Sequence, residues 1–152
     1  MSLELKLPPV VLLLLAGSAI WGLDRVDTVL TFTLPFRASL SALLLLAGVA
    51  IALLGVAAFR RAKTTVDPRY PEQATALVIS GVYRRTRNPM YLGMLLVLVA
   101  LGLYLGSGLS FVVPVAFAAY MTRFQIIPEE RFMAQSFGDA YTRYQQSVRR
   151  WF

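Results

Sequence analysis

Gly81-Val82-Tyr83-Arg84-Arg85-Thr86-Arg87-Asn88-Pro89-Met90-Tyr91-Leu92-Gly93 is the stretch where the chain turns from a polar, basic segment into an apolar run that continues to Tyr104. Asn before Pro is a helix start. Asn88 fits the N-cap position, and Pro89 fits the first helical position because its missing N–H would have no intrahelical partner. The first-turn N–H groups of Met90, Tyr91 and Leu92 then face the basic loop. Two readings follow. The arginines hold a capped membrane helix at its interface, or Arg85, Arg87 and the helix N-terminus together receive a carboxylate or phosphate.

Outward from this start the pattern is one of apolar runs. The chain has 152 residues, the length of a single domain, and 57% of them are apolar. The run over 8–23, behind Glu4 and Lys6, could pass for a signal peptide; it reads here as a short first transmembrane helix with Trp21 at its far interface. The run over 38–59 is free of charge and at 1.5 Å per residue reaches roughly 33 Å, enough to span. Its Ala47, Gly48, Ala52 and Gly55 form a side on which another helix can approach closely. A third span is predicted over 89–106 and a fourth, with Pro114 inside it, over 109–127. Gly106-Ser107-Gly108 joins these two as a tight turn, giving an antiparallel hairpin. The expected fold is all-α: a single polytopic membrane domain of about four transmembrane helices and a C-terminal amphipathic helix.

The connection over 60–88 is long and polar. It contains Asp67-Pro68, Tyr70-Pro71 and a short apolar piece, Ala76-Leu77-Val78-Ile79, which marks it as functional rather than idle. All of the 15 Lys and Arg residues except Arg25 and Arg37 fall in the N-terminus, this segment and the tail from Arg123 onward. Four spans put those three regions on one side, which the positive-inside rule assigns to the cytoplasm. The +7 charge therefore points to the membrane and not to nucleic acid. There is no Cys and no His. Disulfides, thiolate nucleophiles, zinc clusters and an imidazole base are excluded, no metal site is expected, and carboxylates, Tyr, amides and cations remain for chemistry.

The tail opens on Pro128-Glu129-Glu130-Arg131. Pro128 either kinks the fourth span or starts a new helix, and in the second case both glutamates sit in a first turn where the dipole favours them. Against that structural role stands a functional one, in which a glutamate at the membrane edge holds a cationic or hydroxyl-rich ligand. Beyond Gly138, Tyr141, Tyr144, Val148 and Trp151 recur at helical spacing with Arg143, Arg149 and Arg150 between them. That is an amphipathic helix lying on the membrane or against the bundle, an anchor or a lid.

The pairing of Gly81-Val82-Tyr83, Arg87-Asn88-Pro89-Met90-Tyr91 and Gly93 with Pro128-Glu129-Glu130, Phe137-Gly138, Tyr141 and Tyr144 resembles the isoprenylcysteine carboxyl methyltransferase family and its phospholipid N-methyltransferase relatives. The resemblance covers about half the chain. It implies an integral-membrane enzyme that uses S-adenosylmethionine without a Rossmann domain, with the cofactor at the cytoplasmic ends of the last spans beneath the tail. It places the cofactor pocket at the backbone around Leu77 and Val78 and at Tyr83, Asn88, Pro89, Tyr91, Glu129 and Glu130. Many members carry His at the position of Asn88. The eukaryotic prenylcysteine enzymes carry a substrate-associated Arg where this chain has Gln125, with Arg123 two residues earlier, so these two are the candidate substrate residues and prenylcysteine is an unfavoured acceptor.

No catalytic residue is assigned, and methyl transfer needs none of the missing side chains. In-line displacement from a sulfonium can draw most of its acceleration from alignment. The expected acceptor is a lipophilic carboxylate or amine reached through the bilayer. The alternatives are an NADPH-dependent membrane reductase of the sterol and enone type, which shares an Arg-x-Pro-x-Tyr stretch, and a small non-enzymatic membrane protein.

Overall fold

The computed structural model describes residues 4–64 and 75–152. Asp67-Pro68 and Tyr70-Pro71 lie outside the described residues. The described residues are mainly helical: α1 (Pro9–Val26), α2 (Arg37–Arg61), α3 (Pro89–Leu105), α4 (Val112–Tyr120) and α5 (Ile127–Ser147). Pro9–Val26, Arg37–Arg61 and the continuous helical stretch Leu109–Ser147 are each long and apolar enough to cross a membrane, and Pro89–Leu105 is a shorter apolar helix. The apolar runs over 8–23, 38–59 and 89–106 are helices whose ends differ by a few residues from expectation, while the run over 109–127 continues as helix to Ser147.

The small side of α2 is spent on α3. A Cβ built on Gly48 would stand 2.7 Å from the Gly93 carbonyl oxygen, and one on Gly93 would stand 2.8 Å from Ala52 Cβ. A Cβ on Gly55 would stand 2.8 Å from Met90 Cγ. Only glycine allows the two backbones this close, and the attraction between them is dispersion that lipid tails would otherwise supply less densely. Gly93 is in the opening motif, so the stretch that starts α3 also carries its docking surface. On the other side, Ile20, Leu98, Phe117, Met121 and Ile126 close a core around Tyr91.

The far end of the bundle is held by one carboxylate. Asp27 caps α1 and accepts hydrogen bonds from Ser107 Oγ at 2.7 Å, Leu30 N at 2.8 Å, Leu109 N at 3.1 Å and Val29 N at 3.3 Å. The hydrogen bond from Ser107, with those from the backbone, holds its carboxyl below the usual aspartate range despite burial. Gly106, at φ 79°, supplies the left-handed turn between α3 and α4. A short antiparallel bridge pairs Thr31 with Ser107. At the near end Leu5 N donates to Phe124 O at 3.0 Å, and Glu4 pairs with Arg123 at 2.8 Å. The N-terminal residues and the tail thus share one end, and the segments around Arg25 and Arg37 share the other.

The fourth span departs from expectation at its exit. Pro128 does not begin a helix separate from the fourth span. The chain runs from α4 through a π-helical segment, Met121–Ile126, straight into α5, with helical dihedrals at the junction. Glu129 and Glu130 consequently meet no free helix N-terminus, and dipole compensation does not explain them. The bend comes at Gly138, with φ 50° and ψ −127°. The helix then ends at Ser147, and Val148 is extended, so Trp151 is not on the amphipathic helix predicted for it.

Candidate functional site

The opening stretch folds as a single 3-10 turn, Gly81–Arg84, followed by a short crossing to α3. Gly81, at φ 62°, permits the entry to that turn. Tyr83 is buried against Val78, Tyr141 and Tyr144, and the Tyr144 hydroxyl donates to the Tyr83 carbonyl at 2.7 Å. Burial pushes the Tyr83 phenol far above its ordinary range, so it stays protonated. The tail helix beyond Gly138 therefore lies against the bundle, with its aromatic face on residues 78–83.

Asn88 occupies the N-cap position as expected, but its side chain does not cap α3. Its Nδ2 donates to the Arg150 carbonyl at 2.9 Å, and Arg87 N donates to Arg149 O at 3.0 Å. The Thr86 hydroxyl adds a bond to Arg150 O at 3.3 Å. Residues 149–151 thus run as a strap across the start of α3. Trp151 finishes the strap by packing on the core around Tyr91, with its Nε1 donating to Thr122 Oγ1 at 3.1 Å. Nothing in the spacing of the tail residues announced this strap, because it is made by backbone carbonyls and an extended segment.

Arg87 does not wait at a helix N-terminus for an anion. Its Nη2 meets Glu130 Oε1 at 2.7 Å, and its Nη1 donates to Val148 O at 2.6 Å and Gln145 O at 3.0 Å. Arg150 grips the same carboxylate from the strap, with Nη2 to Oε2 at 2.7 Å and Nε to Oε1 at 3.1 Å. Glu130 therefore ties loop, helix and strap together. The anion reading of Arg87 is corrected: the anion is part of the fold.

Glu129 points elsewhere. Tyr91 OH donates to its Oε1 at 2.5 Å and Gln125 Nε2 to the same atom at 2.9 Å. Gln125, only 1% exposed, stands one helical turn before Glu129. The π-helical segment carrying it is a local widening of the kind that re-aims side chains. Among the described residues no cation touches Glu129 and no donor reaches its Oε2. The two adjacent glutamates thus have opposite surroundings: one is neutralised by two guanidiniums, the other is held by neutral donors with one oxygen unspent.

Of the residues singled out from sequence, Tyr83, Asn88, Pro89, Tyr91, Gln125, Glu129 and Glu130 come together at this end of the bundle. Val78 is buried behind Tyr83, and Leu77 lines a separate cleft on the outer side of the tail helix. Arg123 is exposed and engaged with Glu4, away from the Glu129 carboxylate. Thr86, Arg150 and Trp151 were missed as site residues; the Asn88 amide gave no hint that its partner was the tail.

Residues 36–140 match the family model described as phospholipid methyltransferase. An uncharacterized protein of Haemophilus influenzae is 45% identical over 62 residues, a match covering 41% of this chain and 98% of that protein. No solved structure matches. These comparisons lend no support to the reductase alternative.

Proposed function

The chain belongs to the phospholipid methyltransferase family, and on that premise we propose that it is an S-adenosylmethionine-dependent methyltransferase of the membrane acting on a lipophilic acceptor. The observation that carries the reading is Glu129: a half-buried carboxylate, fixed by Tyr91 and Gln125, that among the described residues has no cation partner and keeps one oxygen without a protein donor. Such a group suits a ligand that brings hydroxyl donors or positive charge, and the nucleoside sulfonium brings both. When bound, S-adenosylmethionine would supply an electrophilic methyl group for in-line displacement, leaving S-adenosylhomocysteine.

The residues of the chain then have defined tasks. Glu129 accepts from the ligand, while Tyr91 and Gln125 keep its carboxyl from rotating. Tyr83, backed by Val78, supplies aromatic and apolar surface for the base, beside Asn88 and Pro89, whereas Leu77 faces the other cleft. Glu130, Arg87 and Arg150 close the strap and keep water from this end of the bundle, which strengthens every electrostatic contact inside it. Alignment of the reactants would be the main source of acceleration. A carboxylate acceptor needs no proton removed; an amine acceptor must lose its proton first. The site is assigned to the cytoplasmic side because the basic segments gather at its end.

Calorimetric titration of the purified protein with S-adenosylhomocysteine tests the reading, with NADPH as the control ligand. Saturable binding of the first and none of the second is expected; the reverse ends the proposal. Transfer of labelled methyl from S-adenosylmethionine to a membrane lipid extract should then be seen. Because Gln125 is turned onto Glu129 where the prenylcysteine enzymes carry Arg, turnover of a farnesylcysteine analogue should be weak beside it, and equal turnover contradicts the acceptor assignment.

A further inference from the structure

A cleft of about 590 Å³ opens on the outer side of the tail helix. Leu77, Ile79, Ala140 and Val148 line its apolar part, and Arg84 and Arg143 stand at it from opposite walls. One wall is the 75–84 segment and the other is the part of α5 beyond the Gly138 bend. Ala58 and Phe59, at the near end of α2, pack on the same tyrosine cluster that forms its back. The cleft is therefore level with the end of a membrane span. Its Ile79 is 50% exposed.

Among the described residues the charges around it are unbalanced. Glu130 is taken by Arg87 and Arg150, and Glu4 pairs with Arg123 and Arg131. Among the described residues neither Arg84 nor Arg143 meets a carboxylate, and Asp139, four positions before Arg143, is not within ion-pair distance of it. Two guanidiniums with no carboxylate partner among the described residues, over an apolar floor, are a poor place for a sulfonium, which separates this cleft from the Glu129 site. They are complementary to one anion that carries hydrocarbon with it. The position at the span end, and the apolar walls, favour an anion delivered by the bilayer over one delivered by water.

We propose that this cleft is an accessory binding site for an anionic phospholipid of the surrounding leaflet, with the phosphate between Arg84 and Arg143 and an acyl chain along Leu77, Ile79, Ala140 and Val148. This goes beyond the methyl-transfer reading and does not require it. The occupant joins the tail helix to the 75–84 segment from outside, as Tyr144 joins them from inside.

The test uses the purified full chain in detergent, titrated with fluorescent phosphatidylglycerol and, separately, fluorescent phosphatidylcholine. The protein should prefer phosphatidylglycerol, and the double variant Arg84→Gln/Arg143→Gln should bind it about 25-fold more weakly, at roughly fivefold per arginine. Both side chains are exposed, so the variant should fold; its melting temperature is the check. The variant Arg60→Gln/Arg61→Gln removes equal charge at exposed positions outside the cleft and should keep the preference. Equal loss from either pair would mean diffuse attraction and overturn the site, as would an unchanged preference in the Arg84/Arg143 variant. Inorganic phosphate at millimolar concentration should not displace the lipid; if it does, the commitment to a lipid is wrong. S-adenosylhomocysteine affinity of the Arg84/Arg143 variant should stay at the wild-type value. A parallel loss would place the cleft within the cofactor site and overturn its separate role, while absence of S-adenosylhomocysteine binding in every form, with the lipid preference intact, would count against the methyltransferase reading alone.

Discussion

The two ends of the bundle each hold a carboxylate, buried for Asp27 and half-buried for Glu129, and they use it in opposite ways. At the far end Asp27 accepts from one hydroxyl and three backbone N–H groups. Its lone pairs are consumed, and its work is to hold the α3–α4 turn against the end of α1. At the near end Glu129 has two neutral donors on one oxygen and, among the described residues, none on the other. Its neighbour Glu130 resembles Asp27 in being fully engaged, though with guanidiniums. Burying a charge is costly unless it is paired, so a carboxylate satisfied by its own fold reads as architecture. One left partly unsatisfied reads as a place for a ligand.

The sharpest way to break the comparison is to ask whether the ends lie on opposite sides of a membrane. The chain lacks Cys, so single cysteines report cleanly. Ser107 is buried under Asp27 and unsuitable, but Val29 is 84% exposed at the far end and Ser147 is exposed at the near end. Cysteines at these two positions should react with an impermeant reagent from opposite sides, an all-or-none outcome. Reaction of both from one side excludes the four-span arrangement.

Next in size is Glu130→Gln. It leaves Arg87, whose side chain is 10% exposed, with a buried uncompensated charge and loosens the strap. A loss of about 3–5 kcal/mol in stability is expected, read from thermal unfolding in detergent. A melting temperature near that of the wild type would show that the triad is a minor contributor.

Glu129→Gln should do the converse. Gln keeps the size and one acceptor, so the ligand-free melting temperature should barely move, while S-adenosylhomocysteine binding should weaken by about 1.5–3 kcal/mol, roughly 10- to 150-fold. Unaltered affinity in the well-folded variant would remove Glu129 from the cofactor site.

The smallest effect concerns Asp27. Its folded pKa lies below the unfolded value near 3.8, so its stabilisation is present above that value and is lost as pH falls through the lowered folded one. Asp27→Asn should lower the melting temperature at neutral pH and flatten this acid limb, leaving S-adenosylhomocysteine affinity unchanged. A loss of ligand affinity would mean that the two ends are coupled.

Much of this was legible from the sequence because it depends on local pattern. Charge-free runs long enough to span, the glycine side of α2, and the start at Asn88-Pro89 follow from hydropathy and backbone chemistry over a few consecutive residues. So does the gathering of basic segments at one end, which needs only the parity of four spans. The pairing of partners did not follow. That Arg87 meets Glu130 rather than a ligand, that Asn88 reaches the Arg150 carbonyl, and that Trp151 leaves the helix to bond Thr122 are contacts between segments distant in the chain. The identity of Glu129 and Glu130 as neighbours could not say which would be neutralised. A π-helical segment and a bend at Gly138 set where each side chain points, and only the folded chain brings the arginines to one carboxylate and away from the other.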